Sequence, residues 1–92
     1  MDNISNIKIL DLNIYTPTDI FLSCKIKSVV IPSIQGPFQV LYNHAPIIAV
    51  MVPGVIIVVT EDNLVWNYLI KDGIAEVHKN QVSIILQDIK QI

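Results

Sequence analysis

Apolar and polar residues alternate along this chain in short runs, and Gly, Pro, Asn or Asp interrupts them about every eight to twelve positions, the spacing of sandwiches and barrels. β-Branched and aromatic residues dominate the runs. They predict strands over residues 8–15, 20–22, 25–31, 38–41, 47–52, 55–59, 64–70, 74–78 and 82–86. Turns fall at Thr16-Pro17-Thr18-Asp19, Pro32 to Pro37, Tyr42-Asn43, Pro53-Gly54, Glu61-Asp62-Asn63, Lys71-Asp72-Gly73 and Lys79-Asn80-Gln81, where the residue types suit a chain reversal. No segment has the 3.6-residue period of an amphipathic helix, and the tail Asp88-Ile89-Lys90-Gln91-Ile92 is too short to be one. The expected fold class is all-β: a single two-sheet β-sandwich, or flattened barrel, of roughly ten short strands. One domain is expected over residues 1–92, because a chain of this length holds one core.

Alternation is most informative where it fails. Lys25 and Lys27 share one face of their strand, but Val29, Val30 and Ile31 are all apolar. Ile47 to Val52 and Val55 to Val59 contain no polar side chain. A sheet with one wet face reads apolar-in, polar-out, so continuous apolar runs imply a cover on both faces. A second layer of this chain could supply it, but 92 residues leave little to spare, and a partner protein is the more economical cover. The abundance of isoleucine and the absence of arginine also fit an AT-rich coding genome, which would scatter apolar residues over tolerant surface. Contiguity of the runs favours the partner.

Composition narrows the function. Hydrophobic residues make up 52% and charged residues 15%, against about 45–50% and 25% in average soluble domains, so solvating charge is scarce. Net charge is −2 and every basic residue is lysine, which argues against nucleic acid and against phosphoryl-transfer chemistry. Cys24 is alone, so no intramolecular disulfide is expected and a reducing compartment is the natural setting. The N-terminus lacks the basic and apolar regions of a secretory signal. The most apolar stretch, residues 47–59, is interrupted by Pro53-Gly54 and falls short of the about 20 residues a membrane helix needs. Catalytic constellations are missing. His44 and His78 lack the spacing of metal ligands, the glycines form no phosphate loop, and no serine sits in a nucleophile elbow. Neither a catalytic residue, a metal nor a cofactor is expected. Trp66 and Tyr68 share a strand face and could form an aromatic platform, although core packing is the commoner use.

The segment Gly36-Pro37-Phe38-Gln39-Val40-Leu41-Tyr42-Asn43-His44-Ala45-Pro46-Ile47 reads as a recognition loop on the β scaffold. Ile14-Tyr15-Thr16-Pro17 and Ile20-Phe21 precede it. Pro53-Gly54, then Asp72-Gly73-Ile74-Ala75-Glu76-Val77 and Asn80-x-Val82, follow in order. Together, over about residues 7 to 88, these motifs resemble the N-terminal β-sandwich domain of the epsilon subunit of bacterial F-type ATP synthase. Departures occur at Gln39 and Asp72, where that family often has glycine, at Tyr42-Asn43, where it has Pro-Gly, and at Gln35 and Pro37, where acidic residues are common. Most members continue into a helical hairpin; this sequence ends at Ile92.

The resemblance implies a non-catalytic rotor subunit of the central stalk, coupling proton flow to ATP synthesis. It implies two partners, the gamma subunit and the ring of c subunits. The loop with Gln35, Gly36, Pro37 and Gln39 would face the c ring, and Thr16, His44 and Ala49 would face gamma. The implied place is the bacterial inner membrane, peripheral on the cytoplasmic side, with membrane contact only through the complex. The alternative from the residues alone is a free-standing β-sandwich that binds a small molecule or carbohydrate.

Overall fold

The computed structural model describes residues 8–92. The N-terminal stretch read for a secretory signal, and the first residue of the resemblance, lie outside them. The described chain contains β1 (Leu10–Tyr15), β2 (Ile20–Ile31), β3 (Phe38–Val40), β4 (Ile47–Met51), β5 (Gly54–Thr60), β6 (Val65–Ile70), β7 (Gly73–His78), β8 (Gln81–Ile85) and β9 (Ile89–Gln91). Hydrogen bonds connect them in the order β4-β7-β8-β1-β2-β5-β6-β9, with β3 added to β2. β1 and β8 run parallel, and every other pairing is antiparallel. The ladder does not close, and the nine strands of the described residues form an open all-β sandwich, in agreement with the expected sandwich of roughly ten short strands.

Inward positions from both halves of the sheet meet in one core. Leu10, Leu12 and Ile14 of β1, Ile56 and Val58 of β5, Val77 of β7 and Val82 and Ile84 of β8 all belong to it. The folding of one long sheet over itself depends on β2. Its first half pairs with β1 over Ile20–Ile26, and its second half lies between β5 and β3. The β2–β5 register slips between Ile26 and Ser28, a bulge at Lys27. The slip explains the broken alternation in the sequence: Ser28 and Val29 are consecutive and both buried, and Val30 then points outward, half-buried.

Two sequence-based boundaries differ from the structure. The expected strands 20–22 and 25–31 are one strand, because Ser23 and Cys24 continue the outward–inward alternation instead of turning. The tail, with no helical pattern, adds β9 to β6 through Ile70↔Ile89, Leu69↔Lys90 and Tyr68↔Gln91. Three residues are too few for a periodic signal, but Ile89 still packs against the core. The Lys79-Asn80 tip has φ of 52° and 63°, the two-residue turn whose twist matches antiparallel strands.

Candidate functional site

The Gly36 loop is shaped by its own backbone. Gly36 has φ of +111°, a region that side chains disfavour, and beyond its two chain neighbours no residue comes within 4 Å of where its Cβ would stand. The glycine therefore serves conformation and not close packing. Its N–H donates to the Ser33 carbonyl at 2.9 Å, and the Ser33 hydroxyl donates back to the Gly36 carbonyl. The Ile34 N–H donates to the Val50 carbonyl at 2.9 Å, which fastens the loop to β4. Gln35, Pro37 and Gln39 are exposed around it. A groove of about 380 Å³ runs between this loop and β4, lined by residues including Ile34, Phe38, Ile48 and Val50.

The second turn carries His44. Asn43 takes φ of 64°, which explains why asparagine can stand where the resembled family has glycine. The His44 N–H donates to the Leu41 carbonyl at 3.0 Å and its ring tilts against Phe38 with centroids 6.1 Å apart. Its Nδ1 lies 2.6 Å from the Ala45 carbonyl oxygen, so Nδ1 is the protonated nitrogen. His44 is half-buried. The structure thus brings the Gly36 loop and β4 around one groove, and His44 reaches it only through Phe38, which lines it.

Thr16 and Ala49 stand differently. Thr16 is three strands away from β4, at the end of β1, where its N–H and hydroxyl both bond the Asp19 carbonyl to close the Thr-Pro turn. Ala49 is buried and faces the core opposite Ala75. The outward residues of its strand are Ile48 and Val50, 72% and 51% exposed.

These two begin an apolar surface that the sequence reading placed only in part. The pairings Val50↔Ile74, Ile74↔Ile85 and Ile85↔Tyr15 align one cross-strand row over β4-β7-β8-β1. Val50, Ile74 and Ile85 are exposed, and Ile34 (70% exposed) extends the row beyond β4. Ile74 and Ile85 were missed because each is one outward residue in a short strand. The signal was present in the unbroken apolar run Ile84–Leu86. Two to four residues back along β1 from Tyr15 the same face is polar: Asp11 accepts from Lys25 at 2.9 Å, and Ser23 donates to Asn13. The outward residues of β5, Val55, Ile57 and Val59, are half-buried and belong to the other half of the sheet. One flat partner therefore cannot cover both apolar strands.

Trp66 and Tyr68 turn inward. Tyr68 is buried with Phe21 edge-on at 5.6 Å, and Trp66 packs on the core, so they form no platform for a ligand. Burial raises the Tyr68 phenol above its ordinary value, with the Cys24 thiol adding to the effect, and burial likewise raises Cys24 itself. Among the described residues no three His, Cys, Asp or Glu side chains converge as metal ligands, and no helix is long and apolar enough to cross a membrane.

An open sandwich whose distinctive features are two shaped loops and an exposed apolar row defines a protein-docking module. Residues 9–92 match the model of the ATP synthase delta/epsilon chain β-sandwich domain, and the chain belongs to that family. It is similar to the ATP synthase epsilon chains of Chlorobium limicola (31% identical, 92% of this chain and 97% of that one) and Chlorobaculum tepidum (33%, with the same shares). It covers 62% of a Helicobacter pylori epsilon chain at 36% identity. In fold it resembles a chain of the Euglena gracilis mitochondrial ATP synthase, with a TM-score of 0.85 at 21% identity over 89% of this chain and 52% of that one. A chain from the central stalk and c ring of the Tetrahymena thermophila enzyme gives 0.73 at 16% identity over 88% and 65%. As a member of this family the chain is a non-catalytic subunit of an ATP synthase, part of a membrane-associated complex.

Proposed function

We propose that the chain is a rotor subunit of the central stalk, held between gamma and the c ring on the cytoplasmic side of a bacterial inner membrane. Ring rotation, driven by proton flow, passes through it to gamma and on to catalytic sites elsewhere. The observation that carries this reading is the exposed row Ile34–Val50–Ile74–Ile85 beside the Gly36 loop, on a fold of the ATP synthase family. Such a row in water is unfavourable, and covering it supplies grip.

Gamma is assigned to His44, to the outward residues Ile48 and Val50, and across the row to Tyr15 and Thr16. Ala49 supports that surface from beneath. Gln35, Gly36, Pro37 and Gln39 are assigned to the ring. A stable contact of this kind buries about 1,200–2,000 Å² in total. A close-packed sandwich suits torque transmission because its interior resists deformation. The test is co-purification: gamma and the c ring are expected to be retained on this chain used as bait, and recovery of neither would overturn the proposal.

A further inference from the structure

The His44 turn is clamped from outside by one residue. The Asn43 N–H donates to Oδ1 of Asn80 at 2.6 Å, and Nδ2 of Asn80 donates to Oδ1 of Asn43 at 3.2 Å. Asn80 sits on the β7–β8 turn, thirty-seven residues further along. Its own carbonyl accepts from the Asp11 N–H at 3.0 Å, so the clamp is anchored to β1 as well. Among the described residues, the hydrogen bonds from the segment between β3 and β4 to another element all end on Asn80. Both asparagines occupy left-handed backbone, φ 64° and 63°, which fixes the directions of their side chains relative to the turns that bear them. Asparagine tolerates that conformation and also offers a donor and an acceptor; glycine offers only the conformation.

We propose that Asn80 is a positioning residue for docking: through Asn43 it holds the His44 turn in the orientation that gamma meets. The proposal rests on the assignment of His44 to the gamma contact. Its physical basis is preorganisation, because a turn already fixed in its bound shape loses less freedom on association.

Asn80→Gly isolates the clamp, since glycine accepts φ of 63° and leaves the β7–β8 turn intact. The full chain and its Asn80→Gly, Asn43→Gly, double-glycine and His44→Ala variants are compared by amide hydrogen exchange and by gamma affinity. Asn80→Gly is expected to speed exchange of the Asn43 amide by about tenfold and to weaken gamma binding about fivefold. The thermal midpoint should stay within a few degrees of wild type. The double variant should bind as each single one does, because both remove one interaction. A purely structural role would lower the thermal midpoint and leave gamma affinity unchanged in all three glycine variants. An unchanged Asn43 exchange rate overturns the clamp. Unchanged gamma affinity in Asn80→Gly, with His44→Ala weakened, overturns the positioning role alone. Normal binding by His44→Ala overturns the gamma assignment of the turn and the positioning role with it.

Discussion

Two glycines with similar backbone demands should respond differently to a side chain. At Gly36 the obstacle is conformation alone, so Gly36→Ala should cost about 1–2 kcal/mol. At Gly73 the φ of +151° is joined by a Cβ that would lie 2.6 Å from the Ile85 carbonyl oxygen. Gly73→Ala should cost about 3 kcal/mol, and denaturant unfolding of the two variants checks the order. Tyr68 gives a pH dependence. Its folded phenol titrates above the ordinary 10.0, as the Cys24 thiol does above 9.0, so each proton is held more tightly folded than unfolded. Their contribution is fully present below the unfolded values and is lost as pH rises through the folded ones. Thermal midpoints should therefore fall in the alkaline range, and fall less in Tyr68→Phe. At this scale much was legible. Glycine or asparagine marked the left-handed positions at Gly36, Asn43, Asn63 and Asn80, whereas Lys79 gave no such warning. The inward turn of Ala49 was hidden because it sits in a run with no polar neighbour to set the phase.

Strands were legible wherever polar residues kept time, as in β1 and β6, and blurred where the chain departs from period two. The bulge at Lys27 shifts the phase of β2, and no residue there advertises it. β9 was invisible because its existence depends on the free edge of β6 and on a pocket for Ile89, neither of which is local. Ile89→Ala should remove that anchorage at a cost of about 1–2 kcal/mol. The thermal midpoint of a domain this size would then drop by about 5–10 °C. A midpoint unmoved by the substitution would mean that β9 contributes nothing to the fold. The Asp11–Lys25 pair across β1 and β2, by contrast, is exposed on both sides and contributes little.

For the whole molecule, the sequence anticipated exposed apolar surface but not its division. Joined by the Pro53-Gly54 turn, β4 and β5 look like one apolar block in sequence, yet they enter different halves of the sandwich. Their outward residues consequently offer two surfaces, of which the β4 side is continuous with the Gly36 loop groove. The free chain should bind a dye specific for exposed apolar surface, and gamma should compete that dye away from the β4 side. The most direct test of the docking account is the affinity of gamma for the Ile48→Lys/Val50→Lys double variant, with Ile57→Lys as the control on the opposite face. The account predicts binding weakened by at least about tenfold in the double variant, with wild-type affinity in the control and an unchanged thermal midpoint in both. Normal binding by the double variant, or loss confined to Ile57→Lys, would contradict it.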